Sequence, residues 1–128
     1  MKPLTQEWVQ KAEGDFTVAG QIMRRRKRRI LDAACFHAQQ TAEKYLKARL
    51  CEEGVAFPRT HDLVVLLKLM LPREPLWAAL LPAAQALTDY AVDFRYPGDT
   101  AILAEARRAL RDCKVIRREV RVSLGLPV

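Results

Sequence analysis

The sequence predicts an all-α protein, a bundle of about five helices, and three observations predict it. Residues 35–50 run for sixteen positions without a glycine or proline, and good helix formers fill most of them. Apolar residues recur at i, i+3, i+4 and i+7 in each long segment. Gly54 with Pro58, Pro72 with Pro75, Pro97-Gly98 and Gly125 with Pro127 divide those segments from one another.

The first helix is expected to begin at Thr5 as N-cap, after Pro3 and Leu4. Trp8, Ala12, Phe16, Ala19 and Met23 would form its inward face, with Asp15 an alternative to Phe16 at that register. A run of six cations follows, Arg24, Arg25, Arg26, Lys27, Arg28 and Arg29. Like charges at i and i+4 oppose a continuous helix, so the run reads as a junction. It is either a solvated loop complementing a helix C-terminus or a phosphate-binding patch. Six consecutive cations exceed what a C-terminus requires and favour the patch.

The second helix spans about Ile30 to Glu52, with Gly54 as its C-cap. Leu31, Ala34, Cys35, Ala38, Ala42, Tyr45 and Leu46 share one face, rich in alanine in its first half. Small side chains let a neighbouring helix approach closely, which marks this as the central helix. His37, Gln40 and Lys44 form a polar stripe beside it. Gln39, Glu43 and Lys47 form the next, with Glu43 placed to pair with Lys47. These residues either bind a ligand or cross-link neighbouring helices.

The third helix is expected to start at Thr60, with Asp62 in its first turn and Leu63, Leu66, Leu67 and Met70 inward. Capping explains Thr60 and Asp62 but not His61, which is a candidate ligand contact or a hydrogen bond to the bundle. A fourth helix is expected from about Pro75 to Val92, kinked or split at Pro82. Leu76, Trp77, Leu80, Leu81, Leu87 and Tyr90 would face the core. In the connection after it, Arg95 and Tyr96 offer a guanidinium and a ring, suited to a phosphate and a stacked base. The alternative is a structural pairing of Arg95 with Asp93 or Asp99.

The fifth helix spans about Thr100 to Leu124, with Ile102, Ala106, Ala109, Leu110, Cys113, Ile116 and Val120 inward. Arg107, Arg111, Lys114, Arg118 and Arg121 recur at i, i+4, i+7, i+11 and i+14 as one basic stripe. Adjacent like charges oppose the helix by a few tenths of a kcal/mol each. The stripe is therefore either a solvated face or the seat of an acidic partner.

A chain of 128 residues is one domain by size, 1–128, and can bury a core. With 7% aromatic residues that core should be mostly Leu, Ala and Val. The formal net charge of +7 and pI near 9.7 point to anionic partners. Of 22 lysines and arginines, 13 fall in the 24–29 run and the fifth helix, so the charge is concentrated. Cys35, Cys51 and Cys113 are odd in number and lack CxxC spacing, which suggests neither a disulfide framework nor a zinc site. There is no Gly-rich phosphate loop, Ser-His-Asp order, metal-ligand cluster or internal repeat. No metal or cofactor is expected. With no long apolar run and no leader pattern, the protein is expected to be cytoplasmic and not membrane-bound.

Three pieces of this sequence, in this order, resemble the HEPN domain family (higher eukaryotes and prokaryotes nucleotide-binding). They are Phe-His-Ala-Gln-Gln-x-Ala-Glu-Lys-x-Leu-Lys at 36–47, Thr-His-Asp-Leu at 60–63 and Arg-Tyr-Pro-Gly-Asp at 95–99. The resemblance implies an up-and-down helical bundle, usually a homodimer. It implies a nucleotide- or RNA-binding module, often paired with a small nucleotidyltransferase in toxin–antitoxin arrangements. On this reading His37, Gln40, Lys44, His61, Arg95 and Tyr96 would hold a small anionic ligand, and the two basic segments a polyanion. Many relatives are metal-independent ribonucleases in which four to six residues separate an Arg from the His that follows it. Here those windows read Ile30, Leu31, Asp32 before His37 and Gly54, Val55, Ala56 before His61, with no arginine. No catalytic residue is therefore assigned. A ribonuclease using His37, His61 and Arg95 remains an alternative, as does a bundle serving only dimerisation or protein interaction.

Overall fold

Helix α2, Leu31–Glu53, is the element on which the others are laid. A computed structural model describes residues 1–91 and 97–128 of the chain. Around α2 stand α1 (Pro3–Arg24), α3 (Leu63–Met70), α4 (Leu81–Thr88) and α5 (Leu103–Ser123). Short 3₁₀ stretches, Pro75–Leu80 and Asp89–Ala91, flank α4. The bundle has five α-helices among the described residues, in agreement with the sequence.

Four polar contacts fix how the long helices run. The Lys2 backbone N–H donates to Glu52 at 2.9 Å, so α1 starts where α2 ends and runs antiparallel to it. The Ala101 N–H donates to Asp32 at 2.7 Å, which sets the start of α5 beside the start of α2. Arg49 donates to the Ser123 hydroxyl at 2.6 Å, closing the other end of the same parallel pair. Arg117 grips Glu13 with two hydrogen bonds of 2.8 and 2.7 Å, which ties α5 to the antiparallel α1.

Alanine is what makes α2 central. Ala34, Ala38, Ala42 and Ala48 are all buried, and their short side chains let α1 and α5 approach the backbone. Larger groups complete the core, with Leu46 and Leu50 of α2 in one buried cluster with Leu63, Leu66, Leu67 and Met70 of α3. The core is Leu and Ala as composition suggested, but Val120 is its one buried valine among the described residues. Cys35 and Cys113 sit in this core as small apolar groups, and burial pushes both thiols up to about 12.

Several sequence expectations are corrected. Lys2, not Thr5, is the N-cap of α1: Pro3 takes the first helical position, where a missing N–H costs nothing, and Thr5 is buried in the first turn. Asp62, not Thr60, caps α3, accepting from Val64 N–H at 2.9 Å and Val65 N–H at 3.4 Å. Such a cap contributes about 1 kcal/mol. Thr60 instead accepts from the Asp62 N–H at 3.0 Å. Pro82 splits the fourth segment as expected and lies in the first turn of α4. Leu76 is 88% exposed, against the expectation that it packs inside. The reason is the 3₁₀ geometry: side chains three apart eclipse, so Trp77 and Leu80 share the buried side and Leu76 turns out. Ile102, also expected inside, is the extended N-cap of α5 and stands outside the helical register of its face.

Candidate functional site

The polar residues of α2 fall into two hydrogen-bonded groups. In the first, Asp15 of α1 reaches across to α2. Its Oδ1 lies 2.7 Å from His37 Nδ1, and its Oδ2 accepts from Lys44 Nζ. A carboxylate can only accept, so the ring proton sits on Nδ1. The His37 and Lys44 side chains are 29% and 22% exposed, so both reach the surface from a fixed base.

The second group centres on Glu43, which is buried. Its Oε1 lies 2.8 Å from His61 Nδ1 and accepts from Gln39 Nε2 at 3.1 Å and Gln40 Nε2 at 3.5 Å. Its Oε2 accepts from Lys47 Nζ at 3.0 Å. Burial pushes the Glu43 carboxyl up, but hydrogen bonds from His61, Gln39 and Lys47 outweigh it and hold the group below its usual range. Gln39 also donates to the His61 carbonyl at 3.1 Å, so the loop before α3 is pinned at both backbone and ring. The His61 side chain is nonetheless 64% exposed.

Of the six residues read as a small-ligand set, His37 and Lys44 thus meet on Asp15, while Gln40 and His61 meet on Glu43. All four hold polar partners within the fold: His37 and Lys44 reach α1, His61 reaches α2 from the loop before α3, and Gln40 bonds within α2 to Gln39 and Glu43. Arg95 and Tyr96 lie outside the described residues. Sequence reasoning gave Asp15 only a core register and did not see Glu43 as a hub. The usable signal for Asp15 was an acidic residue in the register of the otherwise apolar face of α1; Glu43, in a polar stripe, carried no such signal.

The two basic segments come together. Because α5 begins beside the start of α2, its first turns lie against the last turns of α1. Arg24 lines one groove with Arg107 and Lys114. The groove encloses about 590 Å³ between α1 and α5, over Phe16, Thr17, Gly20, Met23 and Leu110. It continues along α5 past Arg111 to Val115. Arg25, Arg26, Lys27 and Arg28 are exposed in the adjoining connection, and Arg29 folds back to donate to the Arg25 carbonyl. Arg28 adopts φ 54°, a left-handed conformation uncommon for a side chain of this kind.

The stripe on α5 is shorter than its sequence. Arg107, Arg111, Lys114 and Arg118 are exposed, but Arg121 turns inward and donates to the Tyr45 hydroxyl at 2.9 Å and to the Pro127 carbonyl. Arg117, off the stripe in sequence, is likewise internal. Its hydrogen bonds hold the Glu13 carboxyl below its usual range, and its guanidinium lies 4.4 Å from the centre of the Phe16 ring. The Tyr45 hydroxyl donates to Glu13 at 2.5 Å, and burial with that carboxylate pushes it up to about 12. Among the described residues no cluster of His, Cys, Asp and Glu is arranged to hold a metal ion. No helix among them is long and apolar enough to cross a membrane.

The HEPN domain model matches residues 5–123, nearly the whole of this bundle. The chain belongs to the HEPN domain family. Its fold is similar to the crystal structure of TT1696 from Thermus thermophilus, with a TM-score of 0.78 at 24% identity, over 92% of this chain and 96% of that one. It is also similar to ST0689, an archaeal HEPN homologue, with a TM-score of 0.74 at 26% identity, over 96% and 98% of the two chains. A search of curated proteins gave no match. This HEPN domain gathers Arg24, Arg107, Arg111 and Lys114 around one groove and holds its two histidines on separate carboxylates.

Proposed function

We propose that this HEPN-domain protein is a non-cleaving module that binds RNA or a nucleotide, and that it acts as a homodimer beside a small nucleotidyltransferase in a toxin–antitoxin type pair. The observation that supports binding is the meeting of Arg24 and the connection after it with Arg107, Arg111 and Lys114 at one end of the bundle. Cations gathered on one surface act together on a phosphate backbone, and they release counterions together. The homodimer and the nucleotidyltransferase are supported by family membership. The test is fluorescence anisotropy of labelled single-stranded RNA at two salt concentrations, with the recovered RNA run on a gel. Binding that weakens steeply with salt, with the RNA intact, supports this reading. Absence of binding at low salt overturns the RNA part of it.

A second reading, a metal-independent ribonuclease, is favoured by one specific geometry. Each histidine has a carboxylate on Nδ1, the arrangement that orients an imidazole for proton transfer through its other nitrogen. Cut RNA on the gel, abolished by His37→Ala or His61→Ala, would establish it. Cutting that survives both substitutions would remove these histidines from the chemistry.

A further inference from the structure

The groove between α1 and α5 has a floor and a rim of different chemistry. Its floor is Gly20, Met23, Leu110 and Phe16, and its wall ends on Val115, which is 45% exposed. Its rim is Arg24, Arg107, Arg111 and Lys114, with no carboxylate among the lining residues. A surface made only to hold a phosphate chain has no use for an aliphatic floor. A surface made to stack bases needs open aromatic faces. Here the floor's aromatic ring is Phe16, and the Arg117 guanidinium already sits 4.4 Å from its centre. The remaining floor groups are aliphatic or the flexible thioether of Met23, which accommodates partners of varied shape.

We propose that this groove is the docking site for an acidic amphipathic helix of a partner protein. From Phe16 to Arg24, and from Arg107 to Val115, each wall spans about 12 Å at helical rise, or about two turns of an occupant. Leucine-like side chains at i, i+3, i+4 and i+7 would lie on the floor, and flanking carboxylates would meet the rim. Charge complementarity selects the partner's sign. It also disfavours a second copy of this same groove, because two cationic rims would face each other. Gly20 keeps the floor low: an added Cβ would meet Arg24 Nη1 at 2.9 Å, the far end of a side chain that can move. Helix docking does not require that RNA also bind, although the two occupants would compete for the same rim.

The test uses the full chain and a fluorescein-labelled peptide of about 14 residues, with Leu at i, i+3, i+4 and i+7 and Glu on both flanks. A scrambled peptide of the same composition keeps its charge and loses the pattern. The patterned peptide should bind at least about tenfold tighter than the scrambled one. Val115→Lys adds a cation and removes an apolar wall. It should weaken the patterned peptide about fivefold or more while leaving or tightening binding of polyuridylate. Gly20→Leu fills the floor, and should also weaken the peptide while melting is unchanged or raised, since leucine is the better helix former. Equal binding of the two peptides, or tighter peptide binding by Val115→Lys, would overturn the proposal and leave a surface that reads charge alone. Failure of wild type to bind polyuridylate, with peptide binding intact, would instead count against the RNA reading only.

Discussion

Asp32, in the first turn of α2, accepts the backbone N–H of Ala101 at 2.7 Å, just before α5 begins. Sixty-nine residues separate the two in sequence. With the bonds from Arg49 to Ser123 and from Arg117 to Glu13, this bond sets the start of α5 at the same end of the bundle as the 24–29 run, where the basic segments share a surface.

Breaking it should be felt twice. Asp32→Ala leaves a half-buried backbone N–H without its acceptor, at a cost of about 1–3 kcal/mol. Urea unfolding would measure that. Asp32→Asn keeps an acceptor and should cost less. If the bond also registers the groove, Asp32→Ala should weaken RNA binding without touching a cation. Unchanged stability in Asp32→Ala would mean that α5 is positioned by its apolar face alone.

A second prediction concerns the cross-link of α1, α2 and α5. Glu13 accepts from Tyr45 and twice from Arg117, while Arg121 donates to Tyr45. Arg117→Ala removes the bidentate partner of a partly exposed carboxylate, and should cost about 2 kcal/mol. Tyr45→Phe removes a single hydroxyl from a buried ring and should cost about 1 kcal/mol. Because both act on Glu13, the double variant should lose less than the two costs combined. Additive losses in denaturant unfolding would show the two contacts to be independent.

A third prediction tests how tightly α2 is enclosed. Ala42 is fully buried on the alanine face. Ala42→Leu adds three heavy atoms where there is no room for them, and should destabilise by about 1–3 kcal/mol. Ala42→Gly should also destabilise, by about 1 kcal/mol through helix propensity alone. A stabilised Ala42→Leu protein would mean that the neighbouring helices stand further off than the structure has them.

The helices were legible because their signals are local. Spacing of Leu and Ala marked the inward faces, Gly54 at φ 70° ended α2 where a C-cap was expected, and Pro82 split the fourth segment. The errors came where a neighbour within a few residues changed the outcome. Pro3 moved the start of α1 three residues earlier, and 3₁₀ winding turned Leu76 outwards. The site was less legible, because its partners are remote in sequence. Arg121 obeys the same i, i+4 spacing as the exposed cations. Only the fold, by bringing Tyr45 beside it, makes it internal. Periodicity assigns a residue to a face of a helix, but not to what that face meets.

The fourth prediction concerns salt. Arg107 and Lys114 share the groove's rim with Arg24. If each meets a phosphate, converting Arg107 and Lys114 to alanine should reduce the slope of log K against log salt by about 1.4 for a single strand. Arg117→Ala, an internal cation, should leave that slope unchanged. Equal effects of surface and internal cations would mean that net charge, and not this surface, attracts RNA.

The last prediction is the pH dependence of stability. The Glu43 and Glu13 carboxyls are both held below the ordinary glutamate value in the folded protein, by the hydrogen bonds they accept. A carboxylate depressed by folding binds fewer protons folded than unfolded, so its stabilisation is full above the unfolded value and is lost as pH falls through the folded one. Stability should therefore be flat from neutral pH down to about 5, then fall as pH drops below about 4.5. Glu43→Gln should lower stability at pH 7, because Lys47 and His61 lose their charged partner. It should also make the acid decline shallower, since one of the protons driving it is gone. Urea midpoints at neutral pH and at about pH 5, 4 and 3 would resolve both effects. An equally steep acid decline in Glu43→Gln would shift the cause to Glu13 and the remaining surface carboxylates.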